Sequence, residues 1–137
     1  MNNELITLIH GTPGHWVAAV TGGGTTALSR LLGVPGASRT LLEATIPYAQ
    51  TALTAYLGNT PAQAASSQTA RALAMAAFHR ARQLTASQGA TASDADQGRE
   101  TPLFGLGASA ALVTDRSRRG DDHCFVAVQS RQASWEF

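Results

Sequence analysis

The densest concentration of ligand-binding chemistry in this chain is the run Thr21-Gly22-Gly23-Gly24-Thr25-Thr26. An apolar stretch, His15 to Val20, leads into it, and a helical pattern leaves it. A buried strand that enters glycines and then a helix presents free backbone N–H groups at a positive helix end, and glycines let an anion come close. The threonine hydroxyls add donors. The run has no P-loop lysine and no G-x-G-x-x-G spacing, so neither nucleotide fingerprint is present. A tight strand-to-helix turn would use the same residues.

A second cluster, Arg116, Arg118 and Arg119 beside Gly120, Asp121 and Asp122, has guanidinium groups suited to phosphate or carboxylate. A solvated turn with partly cancelling charges is the plainer reading. The four histidines are scattered: His10 and His79 fall on helical patterns, and His15 and His123 fall at strand starts. None has metal-site spacing. Asp94 and Asp96 stand in a polar stretch that cannot hold a rigid carboxylate pair. No metal site and no cofactor are expected.

The elements that must position these groups are legible in the apolar pattern. Asn3 to His10 reads as a short amphipathic helix, stopped by Gly11, Pro13 and Gly14. His15–Val20 lacks polar alternation, as a strand buried on both faces does. A helix follows from Thr25 to Leu32, with Gly33 and Pro35 as stops. Arg39 to Ile46 is a strand candidate, although Leu41 to Ala44 also suits a helix. The next helix is expected from Pro47, through Tyr48, Leu53 and Tyr56, to Gly58. A long helix runs from Ser66 to Leu84, capped by Ser66 or Ser67, with Ala70, Leu73, Ala74, Ala77, Phe78 and Ala81 on its buried stripe. Residues 87–101 read as a mobile loop. Leu103–Val113 and Cys124–Gln129 are strands close enough in sequence to pair antiparallel. Arg131–Phe137 carries no pattern. The order predicts one domain over residues 1–137: a three-layer α/β/α sandwich on a mixed, mostly parallel sheet.

Composition excludes several classes. The chain has 137 residues, 44% of them hydrophobic, so it can bury a core. Charged residues make up 14% and the formal net charge is +1, which argues against a nucleic-acid binder, an acidic tail and a polybasic membrane anchor. No run approaches the ~20 apolar residues of a membrane span, and no signal peptide is visible. All ten basic side chains are arginines, so no lysine can act as a base. One cysteine, Cys124, allows no internal disulfide, and a cytoplasmic location is the simplest expectation.

Several segments resemble the C-terminal domain of the CinA, or nicotinamide mononucleotide amidase, family. Val17-Ala18-Ala19-Val20-Thr21-Gly22-Gly23 is similar to that family's A-E-S-C-T-G-G segment, and Val34-Pro35-Gly36-Ala37-Ser38 to its V-P-G-A-S turn. Tyr48 falls on the tyrosine of V-A-Y-S-N-E-A-K, and Leu57-Gly58 on the Leu-Gly beyond it. The resemblance implies a three-layer α/β/α fold. It also implies hydrolysis of the carboxamide of nicotinamide mononucleotide by a serine helped by a lysine. Here the serine falls on Ala19, the preceding glutamate on Ala18 and the lysine on Leu53; G-I-A-G-P becomes Gly107-Ala108-Ser109-Ala110-Ala111. A methyl group cannot attack a carbonyl, and an isobutyl group cannot take a proton.

The expectation is therefore a domain that binds a small phosphorylated pyridine nucleotide without turnover. Its ligand contacts would come from Thr21, Gly22, Gly23, Gly24, Thr25, Tyr48, Gly107 and Ser109, and no catalytic residue is assigned. One alternative is an amidohydrolase with a relocated site drawn from Ser109, Thr21, His123 and an arginine. The other is a structural domain of a larger protein, serving oligomerisation or docking to another domain, with Trp16, Trp135 and Phe137 at its contacts. A homo-oligomer is expected.

Overall fold

The structure is a computed structural model that describes residues 2–87, 100–112, 115 and 119–137. The polar stretch after Ser87 and Arg116 and Arg118 of the arginine cluster lie outside the described residues, as do Asp94 and Asp96.

Five strands form one sheet: β1 His15–Thr21, β2 Leu41–Thr45, β3 Leu103–Ala111, β4 His123–Gln129 and β5 Ser134–Glu136. Their order is β2-β1-β3-β4-β5. β1 is parallel to both β2 and β3, while β3–β4 and β4–β5 are antiparallel. The sheet is thus mixed, and β4 alone runs against the other four. The helices are α1 Asn3–Gly11, α2 Thr25–Gly33, α3 Gln50–Leu57 and α4 Ser67–Ser87, with a 3-10 turn at Ala37–Arg39.

Period-two alternation divides the strands between two faces. Val17 and Ala19 of β1 pack with Leu53 of α3 and with Leu73, Ala77 and Ala81 of α4. Ala18 and Val20 point the other way and pack with Leu28 of α2 and Ala108 of β3. Helices therefore cover both faces, as the continuous apolar run of β1 requires. The α3–α4 layer follows β2 and the α2 layer follows β1, so the chain turns in opposite directions about β1. The carboxyl ends of β1 and β3 form the topological switch point, the place beyond which open α/β sheets bind ligands.

Helix α4 lies unusually close to β3. A Cβ on Gly105 would run into the Ala74 carbonyl and the Phe78 N–H, and one on Gly107 into the Ala70 carbonyl and the Ala74 N–H. Alanines at 70, 74, 77 and 81 keep the facing helix side thin, and all four are buried. Small residues on both partners bring two backbones into contact.

On the opposite side, His10 joins three elements. It is 2% exposed; its Nε2 lies 2.9 Å from the Leu31 carbonyl and its Nδ1 2.9 Å from Thr40 Oγ1. A carbonyl only accepts, so Nε2 carries the proton and Nδ1 accepts from Thr40. α1, α2 and the 3-10 turn are held together through this ring.

Two expectations differ from what is observed. α3 begins at Gln50 instead of Pro47, because the Pro47 carbonyl is used elsewhere, accepting a hydrogen bond from Thr21. β5 forms in a tail without a sequence pattern. It rests on β4 pairing, continued by two hydrogen bonds between Phe137 and Val126. No helix among the described residues is long and apolar enough to cross a membrane.

Candidate functional site

β1 delivers Thr21 to the carboxyl edge of the sheet. Its side chain is buried and donates to the Pro47 carbonyl at 3.0 Å. That bond ties the glycine loop to the loop after β2 and so sets Tyr48 beside it. Tyr48 is 72% exposed and shows no hydrogen bond or ring contact among the described residues.

The three glycines serve different purposes. Gly22 (φ 75°) lies against the end of β3, where a Cβ would run into the Ala110 carbonyl. Gly23 lies under the Leu112 side chain, whose Cδ1 would be 2.7 Å from an added Cβ. Gly24 (φ 93°) is the residue before α2, and no side chain caps that helix end. The first N–H groups of a helix have no partner within it. Gly24, Thr25 and Thr26 are exposed. The loop thus offers an uncapped helix start at the switch point, with its first two glycines packed on β3 and its last part facing solvent.

Ser109 and Gly107 are placed differently. Gly107 faces α4, and the helix backbone occupies the space above it. Ser109 is 0% exposed; its Oγ donates to the Ala64 carbonyl and accepts the Ser66 N–H at 3.1 Å. It fixes the turn that starts α4. Ser66 caps that helix, its Oγ accepting the Thr69 N–H at 3.1 Å. Above this turn lies an open groove of about 650 Å³, lined by Gln63, Ser66, Ser67, Ala111, His123 and Phe125 among others. None of residues 21–25 lines it. His123 is exposed, with Nδ1 2.8 Å from the Asp121 carbonyl, so that nitrogen carries the proton and Nε2 is an acceptor. Of the residues proposed for a relocated hydrolase, Thr21 and Ser109 are neighbours in the β1–β3 register, each engaged in a buried hydrogen bond, and His123 stands at the surface.

Ala19 and Leu53, the positions that fall on the serine and lysine of the resemblance, do come together. Both belong to the packed cluster under α4, at 0% and 2% exposure. Beside this cluster, the Tyr56 hydroxyl faces Thr45, and neither oxygen has a well-formed hydrogen bond. Burial pushes the Tyr56 hydroxyl above its usual pKa, opposed by Thr45; Glu43 adds to the rise and Arg80 lowers it. Arg80 grips Glu43 through two nitrogens at 2.9–3.1 Å. A raised folded-state pKa means the native state holds its proton longer than the unfolded chain. Stability from Tyr56 is therefore complete below about pH 10 and is lost above it. Tyr56→Phe is expected to be neutral or mildly stabilising at pH 7 and to flatten the loss of stability above pH 10, read by urea titration across pH.

Among the described residues, no group of three His, Cys, Asp or Glu side chains is arranged to hold a metal ion.

The sheet order and the helices on both of its faces define a mixed α/β sandwich. More particularly, the chain has a CinA-like fold. It is similar to the crystal structure of competence/damage inducible protein CihA from Agrobacterium tumefaciens, with TM-score 0.68 and 16% identity over 98% of this chain and 78% of that one. It is also similar to a competence-damaged protein (CinA) superfamily protein from Escherichia coli, with TM-score 0.67 and 12% identity over 98% of this chain and 72% of that one. No family model matches the sequence, and no curated protein matches it.

Proposed function

We propose that this domain binds a small phosphorylated pyridine nucleotide at the carboxyl edge of β1 and does not hydrolyse it. The observation that carries the reading is the uncapped start of α2 beside an exposed Tyr48, the two tied together by the Thr21–Pro47 hydrogen bond. The phosphate is held by the N–H groups and hydroxyls of Gly24, Thr25 and Thr26, where the helix field favours negative charge. The aromatic ring of the ligand stacks on Tyr48. The absence of turnover rests on Ala19 and Leu53, which bring no nucleophile and no base and whose positions are filled by packed apolar side chains.

Titration calorimetry with nicotinamide mononucleotide and with its acid tests the reading. Binding of either, with no ammonia released from the amide, is the expected outcome. Tyr48→Ala should weaken binding about 5- to 150-fold, the equivalent of ~1–3 kcal/mol for lost stacking on a base, and leave the fold intact, since Tyr48 is exposed. No heat with either nucleotide would remove the proposal.

A further inference from the structure

α4 stops short of the carboxyl end of β3. Gly105 and Gly107 lie under its backbone, and Ser109 is bonded to the turn that starts it. Ala111 and His123, paired with each other one step further along the same face of the sheet, lie beyond that turn. The groove of about 650 Å³ occupies this step. Its volume falls within the ~300–1,000 Å³ usual for small-molecule sites. It also lies at the carboxyl end of a parallel strand, where open α/β sheets place their ligands.

Three polar groups line the groove without a hydrogen-bond partner among the described residues: the Gln63 amide, the Ser67 hydroxyl and His123 Nε2. His123 is the best defined of them. Its Nδ1–H donates to the Asp121 carbonyl at 2.8 Å, which leaves Nε2 a bare acceptor. Its ring meets Phe125 edge-on, with centroids 5.3 Å apart. Phe125 is in turn packed against Ala70, Ala74 and Ala127. One wall of the groove is thus aromatic and anchored in the core.

We propose that this groove binds an uncharged aromatic heterocycle carrying an amino group, the chemistry of an adenine base. The amino N–H sits on His123 Nε2 and the ring lies against Phe125. Three properties of the lining favour that class. The first is charge. None of the described lining side chains is an acid or an arginine, and Asp121 and Asp122, next to His123, oppose an anion. The start of α4 is already engaged, since Ser66 Oγ takes the Thr69 N–H and Ser109 Oγ takes the Ser66 N–H. The groove is therefore no phosphate cradle.

The second is hydrogen bonding. An acceptor nitrogen needs a donor from the ligand, which an amino group supplies. The Ser67 hydroxyl and the Gln63 amide both give and accept, and so match the ring nitrogen beside that amino group. The third is the aromatic wall. Bases of every kind stack on aromatic side chains, and hydrogen bonds to their polar edge set the choice among them.

Adenosine carries this chemistry without a phosphate. Titrated into the 137-residue chain and followed by calorimetry and by the His123 imidazole signals in nuclear magnetic resonance, it is expected to bind saturably. Purine riboside keeps the ring and lacks the amino group; it should bind ~5-fold more weakly, the worth of one hydrogen bond. His123→Phe keeps an aromatic ring and removes Nε2. It should weaken adenosine by about the same ~5-fold and leave purine riboside unchanged. His123→Ala, a smaller change at an exposed position, reads the same loss of preference should the phenylalanine variant fail to fold. No binding of adenosine up to its solubility limit, equal affinities for the two nucleosides, or a preference that persists in the folded His123 variant each overturns the inference. So does adenosine binding that is lost in Tyr48→Ala, which would put the ring beside the glycine loop. The two readings fail separately: pyridine nucleotides can leave the glycine loop empty while adenosine fills the groove, and the reverse.

Discussion

Gly107→Ala should destabilise the domain by about 3 kcal/mol or more, and Gly105→Ala together with Gly107→Ala should abolish cooperative unfolding. An added methyl group at either position meets the backbone of α4, which has no rotamer with which to yield. Overpacking against movable side chains already costs ~1–3 kcal/mol, and a fixed helix should exceed that. A domain of this size has a total stability of about 5–15 kcal/mol, so two such substitutions consume most of it. Gly33→Ala is the control. It closes α2 with nothing within 4 Å of an added Cβ, and should be neutral or slightly stabilising. Urea unfolding followed by circular dichroism measures all three. A native-like midpoint for the double variant would show that α4 sits higher on β3 than described.

Leu53→Lys carries the second large effect. It restores the residue type that the resemblance places there, yet Leu53 is 2% exposed among Val17, Ala19, Leu73 and Ala77. An ammonium group there has no acidic partner within the cluster, and an uncompensated buried charge costs ~3–5 kcal/mol. Burial disfavours the charged form, so the folded-state pKa falls below the ~10.4 of a free lysine. Between those two values the unfolded chain binds more protons than the native state, and stability rises with pH. The deficit relative to Leu53→Met should therefore be largest at neutral pH and shrink as pH approaches 10. A deficit that does not change with pH would mean that the side chain reaches water.

These two residues also show where the sequence was informative. β1, α2 and α4 were legible because their apolar spacing, joined in α4 by the Ser66 cap, points to the same elements. The coming together of Ala19 and Leu53 was implied by the resemblance alone. Gly107 was read as a ligand contact, and the structure places it under α4. The signal for close helix approach was present in glycines two apart on one strand and alanines at 70, 74, 77 and 81 on the long helix. Reading it required knowing that α4 crosses β3. β5 was not legible, because three residues are too few to show alternation and their pairing comes from β4. Leu112, which lies over Gly23, was invisible for a related reason: it acts through a contact between chain segments far apart in sequence.

The same long-range connectivity governs how the domain is made. β1 is an interior strand of the sheet, yet its neighbour on one side is β3, so that Trp16 waits for Phe104 in the last third of the chain. Until β3 leaves the ribosome, the most deeply buried strand among the described residues has β2 on one flank and an open ladder on the other. Nascent or truncated chains that stop before β3 should therefore be the aggregating species, and the completed chain should fold slowly for its length, because its central pairing closes the largest loop.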